Sequence, residues 1–223
     1  MIPNPHKTSF VEFEGIDFSG KSEQFERLKQ YLSAFQQSLP VVYTKEPGED
    51  RPSGKKIYDI LHNEDPDFRL DKMEPFHMQG FYIKDRMHNY RDNIIPALQS
   101  GMHVLQDRGA PSSLSYGSED PSEFYDFMGL HELVFSAALV PLFWPDKILI
   151  FDVSVEVAME RKKKTNKPFD AFELADVLTR ARNNYLAFAV QYPNCVVIDG
   201  TPPPEEVFVE TKKLVLPLLG LSE

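Results

Sequence analysis

Cysteine is almost missing from this chain. Cys195 is the one thiol, so no intrachain disulfide and no thiolate metal cluster can form. A reducing cytoplasm is the expected compartment. No apolar stretch is long enough to span a bilayer, and Met1-Ile2-Pro3-Asn4-Pro5-His6 lacks the apolar core that export requires. Positive charge is scarce as well: 24 Lys+Arg against 34 Asp+Glu give a net charge of −10, the wrong sign for residence on nucleic acid or an anionic membrane. The six histidines are scattered without ligand spacing and read as surface or core residues. Repeats, low-complexity segments and linkers are also missing. The 223 residues therefore read as one domain, 1–223, long enough to bury a substantial core.

What is present is Gly15-Ile16-Asp17-Phe18-Ser19-Gly20-Lys21-Ser22: a glycine, four residues, then Gly-Lys-Ser, the spacing of a phosphate-binding loop. It follows the apolar run Phe10-Val11-Glu12-Phe13 and precedes Phe25, Leu28, Leu32 and Phe35, which recur at helical spacing. Strand, glycine loop, helix is the context that separates this motif from a chance glycine turn. Gly15 and Gly20 let successive N–H groups point at phosphate oxygens, and the helix N-terminus adds partial positive charge. Lys21, expected on an exposed loop where it contacts ligand alone, would reach the outer phosphates. The Ser22 hydroxyl would hold Mg²⁺. Gly15, Ser19, Gly20, Lys21 and Ser22 are thus the candidate cradle for a polyphosphate.

Beyond the loop, strands and helices alternate. Residues 39–44, 102–106, 147–152 and 194–199 are short apolar runs that read as strands, the third nearly continuous as in a strand buried on both faces. Between them the pattern predicts a short helix over 55–61 and a long one from the capping pair Asp71 and Glu74 to about Leu98, bending near Pro96. A helix from Asp120-Pro121-Ser122-Glu123 runs through Ala137, and a short one leads from Ser154 to the basic run Arg161-Lys162-Lys163-Lys164. Two more cover 172–190 and 204–218. Such alternation implies a parallel sheet covered on both faces, with ligands outside the carboxyl ends of its strands. That edge would collect the glycine loop, Lys45-Glu46, Asp107-Arg108 and Asp152.

A GTP switch would want Asn-Lys-x-Asp directly after an apolar strand. The nearest run, Asn166-Lys167-Pro168-Phe169-Asp170, has one residue too many and follows a charged helix end. A mechanical ATPase would bring a larger chain or an oligomeric arginine finger, and nothing here argues for either. Glu14 to Ser22, by contrast, resembles the phosphate loop of the thymidylate kinase family of nucleoside monophosphate kinases. Thr44-Lys45-Glu46-Pro47-Gly48 is similar to its Thr-Arg-Glu-Pro-Gly, and Phe81 to Arg86 to its aromatic-x-x-x-Arg helix. Asp107-Arg108, Ser112 and Tyr116 match its Asp-Arg strand end and the Ser and Tyr beyond. Arg180-x-Arg182-x-x-Tyr185 matches the helix after its lid, and Val196-Val197-Ile198-Asp199 its last strand. The resemblance runs the length of the chain, in order. It implies an α/β, three-layer P-loop NTPase fold: a five-stranded parallel sheet with helices on both faces and a short basic lid at about 161–171. It further implies a cytoplasmic, likewise homodimeric, enzyme that uses ATP and Mg²⁺ to phosphorylate dTMP, with small nucleotides as partners and no nucleic acid polymer or membrane.

The chemistry agrees. An acceptor phosphate has its second pKa near ~6, so it is largely ionised at neutral pH and needs no general base; charge neutralisation and alignment must be supplied. Lys21, Arg108, Asp17 and Asp107 are the implied catalytic residues, with Arg108 between donor and acceptor phosphates. Ser22 and Asp107 would hold the metal, Asp152 being the rival strand-end carboxylate. Arg161 and Lys163 would contact ATP, and Lys162, Lys163, Lys164 and Lys167 would close as the lid unless they are a solvated helix end. The loop carries Phe18 and no arginine, so a transition-state cation must come from the lid or Arg161. On the acceptor side the resemblance implies Asp17, Lys45, Glu46, Tyr82, Arg86, Arg108, Ser112 and Tyr116. Asp17 would hold the sugar 3′-hydroxyl, or else cap the loop. Tyr82 would stack on the base, or else belong to the core, and Arg86 would donate to the base edge. Three positions depart from the family: Lys45 replaces arginine, Tyr58 stands where a phosphate-facing arginine is usual, and Gly117 where a polar residue often reads the base. The alternatives are a kinase for another nucleotide or a nucleoside, or a regulatory protein that binds nucleotide without turnover.

Overall fold

The structure is a computed structural model and describes residues 2–35, 37–73, 75–165 and 172–222. Chain order places β1 (Ile2–Pro3), β2 (Phe10–Glu14), α1 (Lys21–Leu32), β3 (Val41–Lys45), α2 (Pro52–Leu61), α3 (Pro75–Asn89), α4 (Ile95–Gln99), β4 (His103–Asp107), α5 (Ala110–Gly117) and α6 (Phe124–Ala137). There follow β5 (Phe143–Trp144), β6 (Lys147–Asp152), α7 (Val155–Lys163), α8 (Ala175–Gln191), β7 (Cys195–Asp199) and α9 (Pro204–Val215). Five strands form one parallel sheet in the order β3-β4-β2-β6-β7, and β1 pairs with β5 separately. The register sets Asp107 opposite both Phe13 and Lys45, and Asp152 opposite Asp199. The strands therefore end together, and their chemistry-bearing residues meet at one edge.

Alternation along the central strands feeds two faces. Val11 and Phe13 of β2 and Leu149 and Phe151 of β6 pack with Phe25, Leu28 and Leu32 of α1 and Val207 and Val215 of α9. Ile148 and Ile150 face Leu114 of α5 and Leu178, Ala181, Tyr185 and Phe188 of α8. Phe10 and Val104 meet Ile83 of α3 and Phe135 of α6. Both faces of the sheet are covered, as the alternation implied. Among the described residues no helix is long and apolar enough to cross a membrane.

The expected long helix starts later and changes its winding near Pro96, but runs on without a gap from Pro75 to Gln99. Leu70–Lys72 is a separate 3-10 turn, α3 starts at Pro75, and a π turn at Tyr90–Ile94 precedes α4. Glu74, half of the expected capping pair, lies outside the described residues. The wider π turn falls one turn before Pro96 because the proline ring crowds the carbonyl of residue 92 and lacks an N–H. Helix α5 went unread in the sequence: Ala-Pro-Ser-Ser-Leu-Ser-Tyr-Gly has low helix propensity and no apolar stripe. It is helical because seven of its residues are buried between neighbours.

Candidate active site

The loop from β2 to α1 wraps an anion-sized concavity lined by Ile16 to Glu23. Gly15 has φ 138°, and a Cβ there would stand 2.5 Å from the Phe151 carbonyl oxygen, so only glycine lets the loop lie against β6. Phe18 sits at φ 64° and Arg108 at φ 67°, left-handed conformations that cost ~1–2 kcal/mol each in a residue with a Cβ and that here flank the concavity. Arg161 of α7 ties the loop down: its Nη1 donates to the carbonyls of Phe18 (3.2 Å) and Ser19 (3.0 Å), and its Nη2 to Gly200 (2.8 Å). Its guanidinium thus serves loop backbone in this state. Ser19 is buried, and its hydroxyl has no partner.

Lys21 is not the exposed, ligand-only group that the motif suggested. It opens α1 at 5 % exposure, with Nζ 2.5 Å from Asp107 Oδ1 and 3.1 Å from Ser22 Oγ. Asp107 Oδ2 accepts from Ser22 Oγ at 2.9 Å. Burial alone would raise the Asp107 carboxyl, but Lys21 and Arg108 hold it below its ordinary range, ionised. Burial, aided by Arg108, lowers Lys21. The rival Asp152 is paired with Arg182, at 2.7 and 2.8 Å, whereas Asp107 is the carboxylate that meets the Ser22 hydroxyl. No group of three or more His, Cys, Asp or Glu side chains suited to a metal occurs among the described residues. Nucleotide-borne Mg²⁺ needs only one or two protein oxygens, and Ser22 beside an ionised Asp107 fits that requirement.

A cleft beside the loop gathers seven of the eight residues expected on the acceptor side: Asp17, Glu46, Tyr82, Arg86, Arg108, Ser112 and Tyr116. Arg108 ion-pairs with Asp17, donates to the Gly15 carbonyl and Ser112 Oγ, and lies over the Tyr116 ring. The Tyr116 hydroxyl donates to Asp17 Oδ2 at 3.2 Å and accepts from the Asp17 N–H at 3.0 Å. Among the described residues the Asp17 carboxylate accepts from Arg108 and the Tyr116 hydroxyl and from no N–H of the loop, so it does not cap the loop. Ser112 donates to Glu14 at 2.7 Å and meets the Tyr185 hydroxyl at 2.8 Å. Tyr82 is half-buried and does both things expected of it: it lines the cleft and packs against the cluster of Ile57, Ile60 and Met78.

Arg86 is buried, and four of its five N–H groups are engaged, one on Nη2 being left over in a side chain that lines the cleft. Nε donates to Glu46 (2.7 Å), Nη1 to Ser113 Oγ (3.0 Å) and His131 Nε2 (2.5 Å), and Nη2 to the Gly109 carbonyl (2.6 Å). Burial first, and the Arg86 charge second, push His131 down to about 3, so its ring is neutral. With Nδ1 donating to the Phe127 carbonyl at 2.7 Å, Nε2 is left to accept from Arg86. Glu46 is raised to about 7 by burial, against the pull of Arg86. Asn89 and Gln106 also donate to it.

Lys45 stays out of the cleft: it is exposed and pairs with Glu49 at 2.5 Å. Lys162 is no lid cation, being buried, 2.5 Å from Glu173 and 5.1 Å from the Phe18 ring centre. Lys163 and Lys164 are exposed at the end of α7, as a solvated helix end would be; Lys167 and the rest of the expected lid at 166–171 lie outside the described residues. A second cleft, lined by Phe18, Gly20, Arg161, Thr201 and Pro203, opens on the loop. The sequence reading missed Gln79, Ser113, His131 and the buried Arg51, which pairs with Asp85 at 2.7 Å. Only the spacing of Gln79 and Arg86 along one helix face could have signalled any of them.

Residues 13–210 match the thymidylate kinase family. The chain belongs to that family. It is 30% identical to the thymidylate kinase of Thermosipho melanesiensis over 206 residues, 92% of this chain and 96% of the relative. To the probable thymidylate kinase of Archaeoglobus fulgidus it is 32% identical over 213 residues, 96% of this chain and 97% of the relative. To that of Mesoplasma florum it is 33% identical over 217 residues, 95% and 97% respectively.

Proposed function

We propose that this chain, acting as one kinase domain, transfers the γ-phosphate of ATP to dTMP to give dTDP. The observation that carries the reading is the convergence of Lys21, Asp107, Arg108 and Asp17 where the two clefts meet at the Gly15–Ser22 loop. ATP would occupy the cleft beside Phe18 and Arg161, with its phosphates in the loop. dTMP would occupy the cleft of Tyr82 and Arg86. Arg108 lines the acceptor cleft and reaches the loop at the Gly15 carbonyl and Asp17, and repositioning its guanidinium from Asp17 toward the phosphates would neutralise the charge that builds on the transferring group. Asp17, released in part, would accept from the sugar hydroxyl. Ser22 and Asp107 would hold Mg²⁺, which neutralises phosphate charge when bound. Glu46 acts through Arg86 rather than on substrate, and Lys45 is placed to meet the acceptor phosphate only by leaving Glu49.

The assembled Lys21, Ser22, Asp107 and Arg108 favour turnover over a regulatory role. Lys45, Tyr58 and Gly117 are the reasons to test other acceptors. A coupled ADP-release assay across nucleoside monophosphates and nucleosides decides between them: dTMP should give the highest kcat/KM, and a preference for a nucleoside or purine would reject the reading. We also propose a cytoplasmic homodimer, supported by the exposed apolar residues Tyr125 and Leu133 on one face of α6.

A further inference from the structure

Helix α3 carries a third side chain into the acceptor cleft. Gln79 lies three residues before Tyr82 and seven before Arg86, so the three share one helix face, and all line the cleft. Gln79 is 2 % exposed, and its carboxamide oxygen has no hydrogen-bond partner. Its place is coupled to Gly117. A Cβ on Gly117 would stand 2.7 Å from Gln79 Cγ and 2.9 Å from Phe127 Cε1, so the space given up at position 117 is space that Gln79 and Phe127 fill. An unsatisfied buried amide group is destabilising, and because Gln79 lines the cleft, turning its carboxamide toward a bound ligand edge would satisfy it.

We propose that Gln79 reads the acceptor base at its N3–H edge, in place of the polar residue expected at position 117. The inference rests on the acceptor-cleft reading above. Arg86 offers donors only and so suits the C4 carbonyl of a thymine-type ring, while the Gln79 carboxamide can accept from the adjacent N3–H. Cytosine presents an amino group at C4, which faces Arg86 donor to donor. Two polar readers on one helix face, with Tyr82 between them, would then grip the edge of the base on which Tyr82 stacks.

The test compares wild type with Gln79→Leu, close in volume, and with Gln79→Met as a second apolar variant. Wild type is assayed first: failure to turn over dTMP would remove the acceptor reading itself, whatever Gln79 does. Given turnover, Gln79→Leu should lower kcat/KM for dTMP by about tenfold or more, mainly through KM, and leave the KM for ATP unchanged. Removing an unpartnered amide should leave the Tm of the free protein unchanged or higher, while the rise in Tm produced by dTMP shrinks. An unchanged kcat/KM for dTMP in a folded variant overturns the proposal. So does a fall in free-protein Tm accompanied by equal losses toward ATP and dTMP, or failure of both variants to fold, since each marks Gln79 as a packing residue.

Discussion

Lys21 and Asp107 hold each other at the mouth of the phosphate loop, so neither can be removed without exposing the other. Lys21→Ala should lower the rate of phosphoryl transfer by about a hundredfold or more. It should also cost about 1–3 kcal/mol of stability, because Asp107 keeps its charge and loses its nearest cation. Activity and urea unfolding of the same preparation measure both; an unchanged rate would remove Lys21 from the chemistry. His131 makes a prediction in pH. Its folded pKa of about 3 lies below the unfolded value of about 6.5, so between those values the unfolded chain binds the extra proton and stability falls as pH falls. Glu46 works in the opposite sense, since its raised pKa makes the folded state the better proton binder. Subtracting a His131→Gln variant isolates the histidine. Wild type should lose stability relative to the variant below pH ~6.5, approaching ~1.4 kcal/mol per pH unit, as read from urea midpoints at stepped pH. A flat difference would mean that the ring is already protonated in the folded state.

Helix α7 acts through its last turn, where Arg161 bridges the phosphate loop and the turn after β7. Two loops that both border the second cleft are thereby locked to one helix. Arg161→Ala should raise the KM for ATP about tenfold or more, as about 1–3 kcal/mol of charged hydrogen bonding to the loop is lost, and should change the KM for dTMP much less. Equal effects on both substrates would show that the clamp supports the whole site rather than the donor side. The neighbouring Lys162 behaves differently from a lid lysine because its buried Nζ is matched to Glu173, which leaves Lys163 and Lys164 as the exposed cations of that turn.

At the scale of the molecule, α6 shows solvent an apolar face. Tyr125 is 85% and Leu133 66% exposed, eight residues apart on one side of the helix, and nothing lies within 4 Å of a Cβ placed on Gly129 between them. Such a face suits a two-fold partner. Leu133→Glu should shift sedimentation from dimer to monomer while the free energy of folding per subunit changes little. A wild-type monomer at micromolar concentration would reject the homodimer.

The amino-acid order by itself determined the phosphate loop, the parallel α/β plan and most of the cleft. The loop and the plan depend on signals contained within one element: glycine spacing, apolar alternation, a strand feeding a helix N-terminus. Asp17, Tyr82, Arg86, Arg108, Ser112 and Tyr116 were legible only through the resemblance of their motifs to the family's, since spacing and alternation do not single them out. Partnerships were decided only by tertiary structure. Arg86 reaches Glu46 across 40 positions and His131 across 45, and Arg182 occupies Asp152 across 30, because packing of α3, α6 and α8 on the sheet sets those distances. Helix α5 and the buried Lys21 belong to the same class. Propensity and motif describe a residue's own segment, whereas desolvation and ion pairing depend on which segments the fold lays beside it.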